Sequence, residues 1–189
     1  MSLSKAEARK QLLKQRSAVS KAHGVASSES VCQHIMTSDA YKKAQCILGY
    51  LAFGPELSVD AVLKQALLDG KCICVPQIIS STEFEAAKLK DMENFVLDRY
   101  GIRSVPKPIV FVAPEEIDLV LVPAVAFAKN GGRMGMGAGY YDRFLLRCKQ
   151  AELLGVAYEE LLQEELPLEE HDIAIPKLVT ESGVVKTTC

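Results

Sequence analysis

The sequence predicts an α/β fold built on a mostly parallel sheet. Short apolar runs with strand character alternate along the chain with segments of helical periodicity, as in parallel strands joined by crossover helices. The run Leu119–Val122 is apolar at every position, which is typical of a strand buried on both faces. The chain has 189 residues, 49% of them hydrophobic, enough for a sizeable core. We therefore predict one domain over residues 1–189.

The helices of the first half are predicted from caps and spacing. Ser4 precedes Glu7 by three residues, the spacing of a capping box, and predicts a helix to about Val19. A segment with Ser58 as N-cap and Gly70 as stop predicts another helix over Ser58–Leu68. Between these, a helix is predicted from apolar residues at helical spacing: Val31, Cys32, Ile35 and Met36.

Six segments, five of them mainly apolar and the third weakly alternating, predict strands: Cys46–Leu51, Cys72–Pro76, Phe84–Leu89, Asp118–Val122, Leu153–Tyr158 and Leu178–Val179. After the third run we expect a partly helical stretch to about Tyr100, then a loop over Gly101–Pro108 with its two prolines. A helix is predicted over Tyr140–Lys149 because Phe144, Leu145 and Cys148 lie at helical spacing.

The most informative segment is the glycine loop, Gly131–Asp142, which reads Gly-Gly-Arg-Met-Gly-Met-Gly-Ala-Gly-Tyr-Tyr-Asp. It matches neither the P-loop nor the dinucleotide fingerprint. Free backbone N–H groups leading into a helix at Tyr140 would nevertheless form an anion site, and the alternative is a long turn. Arg133 favours the phosphate site, because an arginine in so flexible a loop is expected to have little packing role. The loop follows a predicted strand, where ligands gather in open α/β sheets.

Five more charged residues are candidates for the same site, Asp142 at the end of the loop and four elsewhere in the chain, and each has a simpler interpretation. Asp142 is a candidate Mg²⁺ ligand or a first-turn acid that interacts with the helix dipole. Asp172 is a second candidate ligand or plain surface acidity. Lys5 and Arg9, one helical turn apart, would clamp phosphates or form a solvated face. Glu56 follows Gly-Pro at a strand end, and would hydrogen-bond a heterocycle or be an exposed turn acid.

Composition argues against several classes of protein. A net charge of −2 and 6% aromatic residues give little support for nucleic-acid binding. No stretch is long and apolar enough to cross a membrane, and the N-terminus lacks a secretory h-region. The six cysteines form no Cys-x-x-Cys pair, and we interpret them as buried thiols in a reducing compartment. We expect a cytoplasmic protein with no nucleic-acid or membrane partner and, without a readable triad, no nucleophilic catalysis.

At this point the chain resembles a known family. Leu121-Val122-Pro123, Ala126-Phe127 and Gly135-x-Gly137-x-Gly139-Tyr140-Tyr141-Asp142-Arg143 resemble the signature of the 5-formyltetrahydrofolate cyclo-ligase (methenyltetrahydrofolate synthetase) family. Further matches run in family order: Lys5–Arg9, Glu56, Gly101-Ile102, Leu166-Pro167, His171-Asp172 and Val179-Thr180-Glu181. The resemblance covers nearly the whole chain.

The resemblance implies a three-layer α/β/α sandwich of the NagB/RpiA/CoA transferase type. It implies ATP- and Mg²⁺-dependent cyclisation of 5-formyltetrahydrofolate to 5,10-methenyltetrahydrofolate, by phosphorylation of the formyl oxygen and attack by N10. It assigns the ATP contacts to Lys5, Arg9, Arg133, Met134, Gly135, Met136, Gly137, Ala138, Gly139, Tyr140 and Tyr141. It assigns the folate contacts to Leu51, Glu56, Met136, Gly137, Ala138, Gly139 and Tyr140. Arg133 and Tyr140 would be catalytic, and Asp142 and Asp172 would bind Mg²⁺. A monomer is expected.

The chain departs from the family pattern at four places. It has Ala128 where an aspartate is usual, Ala124 where a glycine is usual, and Met134 where a leucine is usual. The segment Arg103–Pro106 replaces a common Glu-Pro. These changes motivate an alternative hypothesis, a non-catalytic nucleotide- or folate-binding module of the same fold.

Overall fold

The computed structural model describes residues 4–98, 101–169 and 172–188, and its centre is an eight-stranded sheet. Tyr100 and His171, named above, lie outside the described residues, as does Cys189. The strands are β1 Cys46–Leu48, β2 Cys72–Ile78, β3 Phe84–Lys88, β4 Val96–Leu97, β5 Arg103–Ser104, β6 Phe111–Val112, β7 Leu119–Val122, β8 Ala126–Phe127, β9 Arg133–Met134, β10 Glu152–Val156, β11 Lys177–Thr180 and β12 Gly183–Lys186.

The central strands of the sheet are parallel and its margins are antiparallel. The order is β12-β11-β10-β7-β1-β2-β3-β6. The run from β11 to β2 pairs in parallel throughout, whereas β12, β3 and β6 pair antiparallel to their neighbours. Two small hairpins, β4–β5 and β8–β9, lie outside this sheet. The predicted α/β fold with a mostly parallel sheet is confirmed.

Helices cover both faces of the sheet, as a three-layer arrangement requires. The helices are α1 Lys5–Ser17, α2 Lys21–Thr37, α3 Asp39–Lys43, α4 Asp60–Leu68 and α5 Tyr140–Leu145. On one face, α2 and α4 bury Ile35 and Leu63 against alternate strand residues such as Ile47. On the other face, Phe144 of α5 packs in a second cluster. Helix α1 instead packs on the β8–β9 hairpin through Leu12 and Met134, which places its basic residues beside the glycine loop.

The N-terminus of α1 was predicted correctly and that of α4 was not, and local hydrogen bonds explain both results. Ser4 and Glu7 form the predicted capping box at α1. Helix α4 begins at Asp60 with Val59 as its N-cap, so the prediction of Ser58 as N-cap is wrong. The Ser58 hydroxyl accepts from the Asp60 N–H at 3.2 Å, two residues on, which is a local turn rather than a cap.

The predicted helical stretch after β3 is also wrong. The Asp91 carboxylate accepts from the backbone N–H groups of Glu93 and Asn94, an arrangement that competes with helix formation. The chain then forms β4, which pairs with β5 inside the predicted loop over 101–108. Helix α5 is shorter than predicted, because Arg147 and Cys148 donate to carbonyls three residues back in tight turns.

Within the described ranges, no helix is long and apolar enough to span a membrane. Five cysteines of the described residues are free thiols. Cys74 belongs to the second hydrophobic cluster and Cys72 packs against it, because residues two apart on a strand point to the same face.

Candidate functional site

A cavity of about 1030 Å³ opens at the carboxyl edge of the parallel strands. Leu51 follows β1, Ile79 follows β2 and Pro123 follows β7, and all three line it. This is the edge at which open α/β sheets bind ligands. The volume lies at the upper end of the range of about 300–1,000 Å³ for small-molecule sites, so the cavity has room for more than one ligand.

Arg133 lies on β9, buried beneath the glycine loop. Its side chain is 5% exposed, and its Nη2 donates to Asp142 Oδ1 at 2.6 Å. Its guanidinium also lies 5.7 Å from the centroid of the Tyr141 ring. The expectation that Arg133 has little packing role is therefore wrong. The β8–β9 hairpin, which the sequence did not reveal, takes this arginine out of the flexible part of the loop.

Helix α1 crosses the exposed part of the glycine loop. The Arg9 Nε donates to the Gly135 carbonyl at 2.9 Å. Gly137 has a φ of +104°, a conformation that residues other than glycine rarely adopt. A Cβ at this position would lie 3.3 Å from the guanidinium carbon of Arg9. The glycine pattern thus lets the arginine lie directly on the backbone of the loop.

Lys5 closes the same side of the cavity. Its ammonium donates to Asp172 Oδ2 at 2.6 Å and to Glu169 Oε2 at 2.9 Å. Although burial acts to lower it, these two hydrogen bonds raise the pKa of Lys5. Lys5 therefore keeps its charge, and it fixes the buried Asp172 beside the loop.

Glu56 lies on the wall formed by the segment after β1. Its Oε2 accepts from the Phe53 N–H at 3.0 Å, and its Oε1 lies 3.7 Å from Arg16 Nη1. Burial raises the pKa of Glu56, although the Phe53 hydrogen bond and the Arg16 charge act in the opposite direction. Arg16 also donates to the Ala124 carbonyl at 2.8 Å. Arg16 was not predicted as a partner of Glu56. The available signal was that Arg16 lies on the same side of α1 as Lys5 and Arg9.

Two buried donors on the cavity wall lack an acceptor among the described residues. They are the Nε of Arg133 and the hydroxyl of Tyr141. Burial, followed by the nearby charge of Glu56, raises the pKa of Tyr141, so the hydroxyl keeps its proton. Buried donors without acceptors are costly, and a bound ligand with oxygen acceptors would satisfy them.

The glycine loop is anchored on its far side to the hairpin between β2 and β3. The Tyr140 hydroxyl donates to the Ser80 carbonyl at 3.3 Å. Arg143 Nε donates to the Thr82 carbonyl at 2.8 Å, and its Nη2 donates to the carbonyl of Ala138. These contacts hold the loop across the mouth of the cavity.

The two predicted metal ligands, Asp142 and Asp172, line the same cavity, each in an ion pair. Among the described residues no group of three or more His, Cys, Asp or Glu side chains is placed to hold a metal. Mg²⁺ needs only one or two protein carboxylates when phosphates and waters complete its octahedron. The donor set therefore fits Mg²⁺ that arrives with a phosphate ligand.

The structure brings together nearly all the residues that the sequence singled out. These line the cavity: Lys5, Arg9, Leu51, Glu56, Arg133, Gly135, Met136, Gly137, Ala138, Gly139, Tyr140, Tyr141, Asp142 and Asp172. Met134 does not line it, because its side chain is fully buried against α1. Ala128 is also fully buried and lies outside the lining.

Comparison with known proteins gives a consistent result. The model of the 5-formyltetrahydrofolate cyclo-ligase family matches residues 1–181. A 5-formyltetrahydrofolate cyclo-ligase of Mus musculus is 26% identical over 184 residues, covering 90% of this chain and 91% of the relative. One from Escherichia coli K12 is 29% identical over 161 residues, covering 82% and 88%.

A solved structure shows the same likeness in three dimensions. The NMR structure of 5,10-methenyltetrahydrofolate synthetase from Aquifex aeolicus is 30% identical with a TM-score of 0.85, covering 98% of this chain and 93% of that one. A second, from Mycoplasma pneumoniae, shares the fold with a TM-score of 0.77 at 23% identity, covering 95% and 99%.

Proposed function

Since the chain belongs to the 5-formyltetrahydrofolate cyclo-ligase family, we propose that it converts 5-formyltetrahydrofolate and ATP to 5,10-methenyltetrahydrofolate, ADP and phosphate. One observation carries the proposal. A single cavity collects three basic residues suited to phosphates, Lys5, Arg9 and Arg133, and a half-buried carboxylate suited to a pterin, Glu56. Nucleotide and folate would thus meet in one cavity of sufficient volume.

The reaction needs ATP because a formyl oxygen bound to an amide-like carbon is a poor leaving group. The formyl oxygen attacks the γ-phosphorus, the bond to ADP breaks, and an N5-iminium phosphate forms. N10 then attacks the formyl carbon and loses its proton. Phosphate leaves with the former formyl oxygen, and the C–N10 bond completes the five-membered ring. Such a sequence requires positioning and charge neutralisation rather than a protein nucleophile.

The basic residues suit the phosphate steps. Arg133 is fixed by Asp142 and still carries a buried Nε–H without an acceptor in the described structure, so it is pre-organised to stabilise charge on the transferred phosphoryl group. Arg9 and Lys5 stand on the α1 side of the glycine loop, where they would hold the remaining phosphates. Tyr141 would supply a hydroxyl donor on the cavity wall. Tyr140, whose hydroxyl already donates to the Ser80 carbonyl, would contact the ligands through its ring.

Glu56 suits the pterin. A carboxylate that already accepts from the Phe53 N–H has further lone pairs for the N–H groups of a heterocycle. Its raised pKa reflects a desolvated position, in which a hydrogen-bonding ligand would be preferred over water. Leu51 lines the same wall.

Mg²⁺ would be held by Asp142 and Asp172, the two cavity carboxylates nearest to basic phosphate-binding residues. When bound, it would neutralise charge on the phosphates of ATP. Both acids already form ion pairs, to Arg133 and Lys5 respectively. The site therefore supplies oriented carboxylate oxygens for the cation that accompanies the nucleotide.

The replacement at Ala128 does not favour the alternative of a non-catalytic binding module. The replacement at Ala128 lies outside the cavity lining, so it removes no acid from the proposed site. The predictions of a cytoplasmic location and of a monomer stay predictions.

Turnover tests the proposal directly. Purified protein with 5-formyltetrahydrofolate and Mg-ATP should produce the long-wavelength absorbance of methenyltetrahydrofolate, and omission of ATP should abolish it. Arg9→Ala should raise the KM for ATP, whereas Lys10→Ala, its exposed neighbour on α1, should not. Binding of both ligands by folded protein without product would reject the enzyme and favour the binding module.

A further inference from the structure

One basic residue of the cavity has no role in the phosphate chemistry. Among the described residues, four lysines and arginines line the cavity, namely Lys5, Arg9, Arg103 and Arg133. Three of them surround the glycine loop. Arg103 instead lies on β5, on the hairpin between β3 and β6, and so presents a cation on a separate wall.

The Arg103 guanidinium is held in a fixed orientation. Its Nη1 and Nη2 donate to the two carboxylate oxygens of Asp60 at 2.7 and 2.9 Å, and its carbon lies 5.2 Å from the centroid of the Phe95 ring. A guanidinium has five N–H donors, so two bonds to Asp60 leave three for another acceptor. The side chain is 28% exposed, which leaves it accessible to a ligand.

Arg103 and the proposed pterin residue, Glu56, line the same cavity. Ser104, next to Arg103, donates to Gln77 of β2 at 2.7 Å. Glu56 lies on the segment between β1 and α4, and is held by Arg16, which also donates to Ala124 after β7. A folate whose pterin meets Glu56 would therefore have Arg103 in the same cavity for its glutamate.

Another part of the cavity lining suits the aminobenzoyl group that joins the pterin to the glutamate of a folate. Ile78 and Ile79 line the cavity at the end of β2 and are exposed. Apolar side chains suit an aromatic ring, and a guanidinium suits a carboxylate, which it binds with paired, charge-assisted hydrogen bonds.

We propose that Arg103 binds a carboxylate of the folate glutamate and thereby determines preference for substrates that carry this glutamate. The inference rests on the proposed function for its substrate class. Asp60 acts as the positioning partner, since it orients the guanidinium and leaves its remaining donors for the substrate.

The experiment compares two substrates and three proteins. The substrates are 5-formyltetrahydrofolate and 5-formyltetrahydropteroate, which lacks the glutamate. The proteins are wild type, Arg103→Ala and Arg147→Ala. Arg147 is the matched control, because it also forms a two-point pair with a carboxylate, Glu85, but lies outside the cavity lining. Kd is measured by calorimetry without ATP, and kcat and KM are measured with Mg-ATP.

We expect Arg103→Ala to bind the glutamate-bearing substrate more weakly and to show a higher KM for that substrate. Both changes should be roughly 10- to 100-fold, the range for a lost hydrogen bond to a charged group, with kcat unchanged. Removal of the glutamate should weaken wild-type binding by a similar factor and have little further effect in Arg103→Ala. Arg147→Ala should behave as wild type with both substrates.

Equal losses for both substrates, or no loss for either, would overturn the proposal. The pteroate substrate also checks the integrity of Arg103→Ala, which should bind it as wild type does. Selective binding without turnover in any protein would reject the proposed catalysis and leave the glutamate contact supported. Absence of folate binding by wild type would overturn both.

Discussion

We predict that the buried ion pair between Arg133 and Asp142 contributes to the stability of the fold. Arg133 Nη2 lies 2.6 Å from Asp142 Oδ1, and the side chains of Arg133 and Asp142 are only 5% and 16% exposed. Removal of one partner from a buried pair leaves an uncompensated charge and typically costs about 3–5 kcal/mol. Because Asp142 keeps some contact with solvent, we expect the lower end of that range, about 3 kcal/mol, for Arg133→Ala.

A double-mutant cycle in urea measures this quantity. Arg133→Ala and Asp142→Ala should each lower the free energy of unfolding by about 3 kcal/mol. The double variant should be little worse than either single variant, because it leaves no unpaired charge. Additive losses, with a coupling energy below about 0.5 kcal/mol, would refute the claim that the pair acts as a desolvated unit.

Three further predictions concern the other parts of the site. Glu56→Gln should remove a pH dependence of the free energy of unfolding. Because the pKa of Glu56 in the folded protein is raised above 4.5, the stability of the wild type should fall relative to that of the variant as pH rises from 4.5 through the raised pKa. Free energies of unfolding that run parallel for the two proteins across this window would contradict the prediction. Gly137→Ala should strain the glycine loop by about 1–3 kcal/mol and raise the KM for ATP. Gly70→Ala is the control: Gly70 has a φ of +75° in a turn with open space, so this change should affect stability alone. Equal KM values for the two variants would argue against an ATP site at the glycine loop. Asp142→Asn should raise the Mg²⁺ concentration for half-maximal activity about tenfold or more; an unchanged Mg²⁺ titration would argue against Asp142 as a ligand.

The sequence predicted the parts of the fold that depend on local or periodic signals. The capping box of α1, the apolar spacing of α2 and the continuous apolar run of β7 correspond to real elements. It did not predict the two-residue strands, because pairs such as Ala126 with Met134 have no periodicity of their own and form through contacts with the rest of the chain.

In the candidate site, too, contacts between distant parts of the chain could not be predicted from the sequence. The glycine loop and the cations of α1 were predicted from residue types and from the family resemblance. The burial of Arg133 could not be predicted, because it depends on the β8–β9 hairpin and on α1 packing over it. The Arg16–Glu56 contact joins residues that are 40 positions apart, and no local pattern connects them.

The path of the formyl oxygen tests the central claim most directly. Purified protein would be given Mg-ATP and 5-formyltetrahydrofolate labelled with ¹⁸O in the formyl group, and the released phosphate analysed by mass spectrometry. If the formyl oxygen is phosphorylated and leaves with the phosphate, each phosphate formed should carry one ¹⁸O, in step with methenyltetrahydrofolate. Product with unlabelled phosphate, or hydrolysis of ATP without product, would contradict the account.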